Sequence, residues 1–221
     1  MLESLNAPEP VITDPLRADP RLADPSQAFE DERKAALAQI IRTTPRLMEA
    51  LEVIRSLELP DAWIVSGALY QTVWNHLTER AFDHGIKDYD IVYYDGSDTS
   101  YDAEDRVIQS VNAAAPHLAA VLEIRNQARI HLWFETRFGT PYPELSCALE
   151  SLSYYAARTH AVAARLTDSG LEIHAPFGLA NVFALRLVPH YALNNRETYE
   201  AKAVRMKQLW PELTIIPWAT A

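Results

Sequence analysis

The residues of this chain best suited to chemistry lie in one stretch, VSGALYQTVWNHLTERAFDHGIKDYDIVYYDG, residues 65–96. Asp88 and Asp90 stand one residue apart where an apolar strand begins, so they share a face. Two such carboxylates repel each other and resist desolvation unless a cation lies between them. Hard oxygen donors of this kind suit Mg²⁺ or Mn²⁺. Earlier in the stretch, Ser66-Gly67 ends another apolar strand and opens a helical pattern. The free N–H groups and dipole of such a helix start favour an anion such as phosphate. Gly67 has no Cβ, so a phosphate can approach its backbone closely. Together these features describe a metal–phosphate site, with one loop to hold phosphates and one strand to hold the metal that bridges them. Lys87 either screens the two aspartates, touches a phosphate, or is a plain surface lysine.

The surrounding periodicities supply the elements that must position this site. Residues 1–25 read as a disordered, Pro-rich, acidic tail, and residues 26–221 as one domain. Ser26 is expected to cap a helix with Ala36, Leu37, Ile40 and Ile41 on one face. A second helix carries Leu47, Leu51, Ile54 and Leu57. After the strand DAWIVS, the spacing of Leu69, Val73 and Leu77 predicts a helix with one buried face. YDIVYY reads as a strand and AEDRVIQSVNAAA as a helix. AVLEIRNQARIHLWFE is expected to form two strands around a turn at Asn126-Gln127, and AVAARLTDSGLEIHAP a second hairpin. FGLANVFALRLVP and RETYEAKAVRMKQLW close the chain as helices. The expectation is an α/β domain, a mixed sheet flanked by helices.

VSGAL…KDYDIVYYD resembles the glycine turn and Asp-x-Asp signature of the DNA polymerase β-like nucleotidyltransferase superfamily. It is similar above all to the head domain of CCA-adding enzymes, where a Gly-Gly-Ala turn leads to Lys-Asp-Phe-Asp. NQARIHLWFE, FGTPYPELS, THAVAARL, PFGLANVFALRLVP and YEAKAVRMKQLWPELTIIPW resemble a small bacterial nucleotidyltransferase-like family, formerly a domain of unknown function. That likeness covers roughly residues 30–218. It implies the nucleotidyltransferase (polymerase β-like) fold and transfer of a nucleoside monophosphate from a nucleoside triphosphate, with release of pyrophosphate. Carried over by residue, Ser66 and Gly67 match the phosphate turn, and Asp88 and Asp90 the metal pair.

The departures concern the substrate and the third acid. Ser66 replaces the first glycine of the turn, Tyr70-Gln71 replaces an Arg-Asp pair, and the 21-residue step from Gly67 to Asp88 is long. The superfamily places another carboxylate on a neighbouring strand, where it deprotonates the acceptor. Taking RIHLWFE as that strand puts His131 at the position and Glu135 two steps along. Glu123, on the preceding strand, faces the same way in one register. His131 in the acid's place could ligate metal, act as base, or mark lost catalysis. A catalytically inactive nucleotide- or protein-binding module on the same fold is the alternative, and a phosphohydrolase using His131 as base is a weaker one.

Composition narrows the partners. The net charge is −10, and residues 1–32 contribute eight acidic and two basic residues, so the body is mildly acidic and has no broad basic face. Long nucleic acid is not expected as a substrate; a small-molecule or protein acceptor is. No run approaches membrane-spanning length and no secretory leader is evident, so a cytoplasmic location is expected. One cysteine, Cys147, excludes an internal disulfide and a thiolate metal cluster within one chain.

Overall fold

The computed structural model describes residues 19–219. The expected disorder of residues 1–18 lies outside them. The remainder of the expected tail is folded: Pro20–Ala23 makes a 3-10 turn, Leu22 is buried, and its carbonyl accepts from Arg33 Nε at 2.7 Å.

Helices α1 (Glu30–Arg42) and α2 (Pro45–Ser56) precede the first strand, β1 (Trp63–Val65). The cap of α1 is Phe29, whose N–H donates to Glu32 Oε2 at 2.8 Å. Ser26 does not cap it; Asp24 accepts the Ser26 hydroxyl and amide and so holds that serine in a turn of its own. Next come α3 (Gly67–Leu77), β2 (Tyr89–Tyr93), α4 (Tyr101–Ala114) and β3 (Leu122–Asn126). The chain then forms α5 (His131–Phe138), the hairpin β4 (Ala163–Thr167) and β5 (Gly170–His174), and the short α6 (Ala180–Phe183). It ends with β6 (Arg186–Leu187), α7 (Arg196–Leu209) and β7 (Thr214–Ile215).

The main sheet has the order β3-β2-β1-β4-β5, with β2 and β3 parallel and the other pairs antiparallel. Alternation splits its residues between two faces. Ile64, Tyr89, Ile91, Tyr93, Leu122, Ile124 and Ala164 join the main core, beneath α1, α2, α3 and α4. Trp63, Val65, Val92 and Ala163 join a smaller cluster with Ala148 and Leu152 from the 3-10 segment Ala148–Tyr154. The parity that buries Ile91 against the helices sends Asp90 and Val92 to this second face.

Two segments differ from the sequence expectation. Only LEIRN of AVLEIRNQARIHLWFE is a strand; a 3-10 turn at Gln127–Arg129 leads into helix α5. Asn126 starts the change, since its Oδ1 accepts from Ala128 N and Asp95 N, both at 3.1 Å, and its Nδ2 donates to Asp95 O at 2.9 Å. Gly139 closes α5 in the left-handed conformation, φ +68°. FGLANVFALRLVP keeps only four helical residues. It then turns into β6, which pairs with β7 and gathers the C-terminal residues into a small parallel ladder.

The long return from α3 to β2 is packed. Asn75 Nδ2 donates to the carbonyls of Phe82 and His84 at 3.1 and 2.9 Å, while its Oδ1 accepts from Trp210 Nε1 at 3.0 Å. Gly85 has φ +73°, and a Cβ there would come within 2.5 Å of the Trp210 ring. Trp210 meets Trp74 edge to face at 5.4 Å, and this fastens α7 beside α3. Among the described residues, no helix is long and apolar enough to cross a membrane.

Candidate active site

Ser66, the residue that joins β1 to α3, adopts φ +57°, ψ −118°. That backbone region favours glycine and is strained for a serine. The surroundings impose it: Ser66 N–H donates to Val162 O at 2.8 Å, and its carbonyl accepts from Leu69 N at 2.9 Å. The following amides, at Gly67 and Ala68, lie in the first turn of α3, where helical partners are lacking. At Gly67, a Cβ would come 2.8 Å from Gln71 Nε2. A side chain at position 67 would displace the end of Gln71, which folds back over the turn.

Sheet register assembles the acidic half. Asp90 lies opposite Val65 on β1 and opposite Glu123 on β3. Ser66 directly follows Val65, so the turn, Asp90 and Glu123 succeed one another across three adjacent strands. Asp88 immediately precedes this strand, on the parity of Asp90, and is half-buried; Lys87 is exposed. Burial first, then the charges of Asp88 and Glu123, push the Asp90 carboxyl up to about 6, with Lys202 and Arg125 offsetting in part. Arg125 also donates to Glu123 at 2.8 Å. The end of β3 is pinned by buried Glu104, whose Oε2 lies 2.5 Å from Arg129 Nη1 and whose Oε1 accepts from Asn126 N at 2.8 Å.

The row of Ser66, Asp90 and Glu123 opens on a cavity of about 760 Å³ between the second sheet face, α5 and the start of α7. Ser66, Asp90 and Glu123 line it; Gly67, Lys87, Asp88, His131 and Glu135 are not among its lining residues. RIHLWFE is helical, so the strand parity that put Glu135 beside His131 and the aspartates does not apply. Glu135 is exposed on α5. His131 is partly buried, with Nδ1 lacking a partner. Glu123 is the carboxylate that the register brings beside Asp90.

Two contributors were not visible in the sequence. Lys202 reaches the cavity from α7; desolvation lowers its pKa, and Asp90 and Asp88 draw it back up. His160 is buried and stacks on Tyr70 at 4.6 Å, and its Nε2 has no hydrogen-bond partner. Burial holds this imidazole well below its ordinary pKa, and so neutral. Burial likewise raises the Tyr70 hydroxyl. THAVAARL holds the only hint of His160's place, since Val162, two residues on, binds the Ser66 amide.

The fit to a divalent cation follows from the donor set. Among the described residues, no three His, Cys, Asp or Glu side chains converge as a closed metal cage. Mg²⁺ asks for less: one or two carboxylates, with substrate phosphates and waters completing the shell. Asp90, crowded by two carboxylates, meets that requirement together with Asp88.

Comparison with known proteins bears on the fold and the family. A family described as nucleotidyltransferase matches residues 52–215. No curated protein matches the chain. A solved structure described as an NMR structure that reveals a CCA-adding enzyme head domain is similar, with TM-score 0.69 and 22% identity. The match covers 83% of this chain and 96% of that one. This likeness establishes the polymerase β-like head fold, and the family match, which spans most of the chain, establishes that it belongs to the nucleotidyltransferase family.

Proposed function

We propose that this protein is a metal-dependent nucleotidyltransferase that moves a nucleoside monophosphate from a nucleoside triphosphate to an acceptor hydroxyl. The observation that carries this reading is the row of Ser66, Asp90 and Glu123 across adjacent strands, opening on one cavity. In this scheme the amides after Ser66 receive phosphate oxygens, and Lys202 adds positive charge from the opposite wall. Asp88 and Asp90 would hold Mg²⁺, which when bound neutralises phosphate charge and orients the triphosphate. Glu123 takes the acceptor proton as the acceptor oxygen attacks the α-phosphorus in line. The bond from that phosphorus to the bridging oxygen breaks, and pyrophosphate leaves with the electron pair. Buried, neutral His160, with Nε2 unpartnered beside the turn, offers one further hydrogen bond to the nucleotide.

The site of bond cleavage tests the reaction class. Without an acceptor, water can take its place, and ³¹P NMR of each common nucleoside triphosphate with Mg²⁺ follows the products over hours. Slow accumulation of nucleoside monophosphate and pyrophosphate, absent in Asp90→Asn, is expected. Nucleoside diphosphate and phosphate would instead indicate attack at the γ-phosphorus and overturn the reading.

A further inference from the structure

Beyond the acids and the phosphate turn, the cavity is lined by aromatic rings on α5 and the segments that follow it. Trp133, Phe134, Phe138, Tyr142 and Tyr154 form a continuous chain, with successive ring centroids 4.5–6.3 Å apart. None of the five belongs to either hydrophobic core cluster, and α5 buries none of its residues. An eight-residue helix that carries three aromatic rings yet contributes to no core has its apolar surface free for a ligand. We propose that this wall is the acceptor subsite, and that the acceptor is a small, flat, aromatic molecule bearing a hydroxyl and an anionic group. The inference rests on the nucleotidyltransferase reading and names the substrate class of that site.

The sheet order decides which substrate the wall serves. The phosphate turn at Ser66 lies on the β1 side of Asp90, and Glu123 lies on the β3 side. α5 follows β3 after a single 3-10 turn, so the rings belong to the flank where the acceptor must lose its proton. Charge then narrows the class. The Arg137 guanidinium lies 6.0 Å from the Trp133 ring centroid and 5.4 Å from that of Phe138, and among the described residues it has no carboxylate partner. A cation held on an aromatic wall suits an anionic substituent on a stacked ring. Lys202, which lines the cavity from α7, disfavours a polycationic acceptor. The transfer is balanced: the acceptor oxygen bonds to the α-phosphorus, its proton passes to Glu123, and pyrophosphate departs.

The test uses the full chain labelled with 5-fluorotryptophan, saturated with Mg²⁺ and an α,β-methylene nucleoside triphosphate. The Trp133 ¹⁹F resonance is assigned with Trp133→Phe, and 4-hydroxybenzoate is the probe. The expected result is a shift confined to the Trp133 resonance. Affinity for the probe should fall at least about tenfold in Trp133→Leu and in Arg137→Gln, with affinity for the nucleotide analogue unchanged. 4-Hydroxycyclohexanecarboxylate, with the same substituents and no aromatic ring, should bind about tenfold more weakly. If the analogue alone shifts Trp133 and Trp133→Leu weakens its binding, the wall holds the nucleobase and the inference is overturned. It is equally overturned if the analogue binds and 4-hydroxybenzoate shifts nothing. Absence of analogue binding at the start of the titration would reject the nucleotidyltransferase reading itself, and this inference with it.

Discussion

Replacing Asp90 with asparagine should make the protein more stable at neutral pH while removing its function. In the folded chain this carboxyl titrates at about 6, against an ordinary value of 3.8, because it is buried and faces Asp88 and Glu123. Between these two values the native state keeps a proton that the unfolded chain has released. Stability therefore falls as pH rises through this window and levels off above about pH 7. The displacement corresponds to about 3 kcal/mol once the group is fully ionised. Asparagine keeps the shape without the charge, so Asp90→Asn should match the wild type near pH 4 and exceed it by about 2–3 kcal/mol at pH 8. For a chain of this length that is a rise in Tm of about 5–10 °C. Urea unfolding at a series of pH values, in EDTA, measures the difference directly. Saturating Mg²⁺ and nucleotide should stabilise the wild type and leave the variant unmoved. A pH-independent difference, or a variant less stable at pH 8, would refute the argument that Asp90 is an ionised, crowded carboxylate awaiting a cation.

Other substitutions test the remaining parts of the account. Ser66→Gly relieves a serine held at φ +57°, ψ −118°; strain of about 1–3 kcal/mol, less about 0.5–1 kcal/mol for glycine's freedom in the unfolded chain, predicts a net gain of up to about 2.5 kcal/mol in urea unfolding. Glu123→Gln should lower kcat about 100-fold or more and leave the KM for nucleotide unchanged, since its proposed task is to take a proton; a change confined to KM would reassign it. Glu104→Ala takes the carboxylate from half-buried Arg129, which keeps its bond to Thr99 O, and frees the Asn126 amide, at a cost of about 2–4 kcal/mol in thermal or urea unfolding.

The legible parts of the site were those that local sequence determines. Ser-Gly at a strand end and Asp-x-Asp at a strand start carry their own geometry, and the structure places both where alternation puts them. Ser66 is held at a positive φ, a conformation that glycine adopts without strain. Glu123 was harder, because its place depends on the parallel register of β2 with β3. That register is set across the α4 crossover and not by any neighbouring residue. RIHLWFE misled because a short apolar run has no decisive period. The Asn126 side chain, which caps the turn after β3, ends the strand before any residue of that run is reached. Lys202 and His160 arrive through tertiary packing, by the Trp74–Trp210 contact and by the stack on Tyr70. No spacing along the chain announces either.

The central claim is that Asp88 and Asp90 bind a nucleoside triphosphate through a divalent cation. Calorimetric titration with α,β-methylene analogues of the four common nucleoside triphosphates, with Mg²⁺ and with EDTA, tests it most directly. The account predicts binding of at least one analogue that requires Mg²⁺ and is lost in both Asp88→Asn and Asp90→Asn. Binding that persists in EDTA or in the variants, or no binding of any analogue, would contradict it.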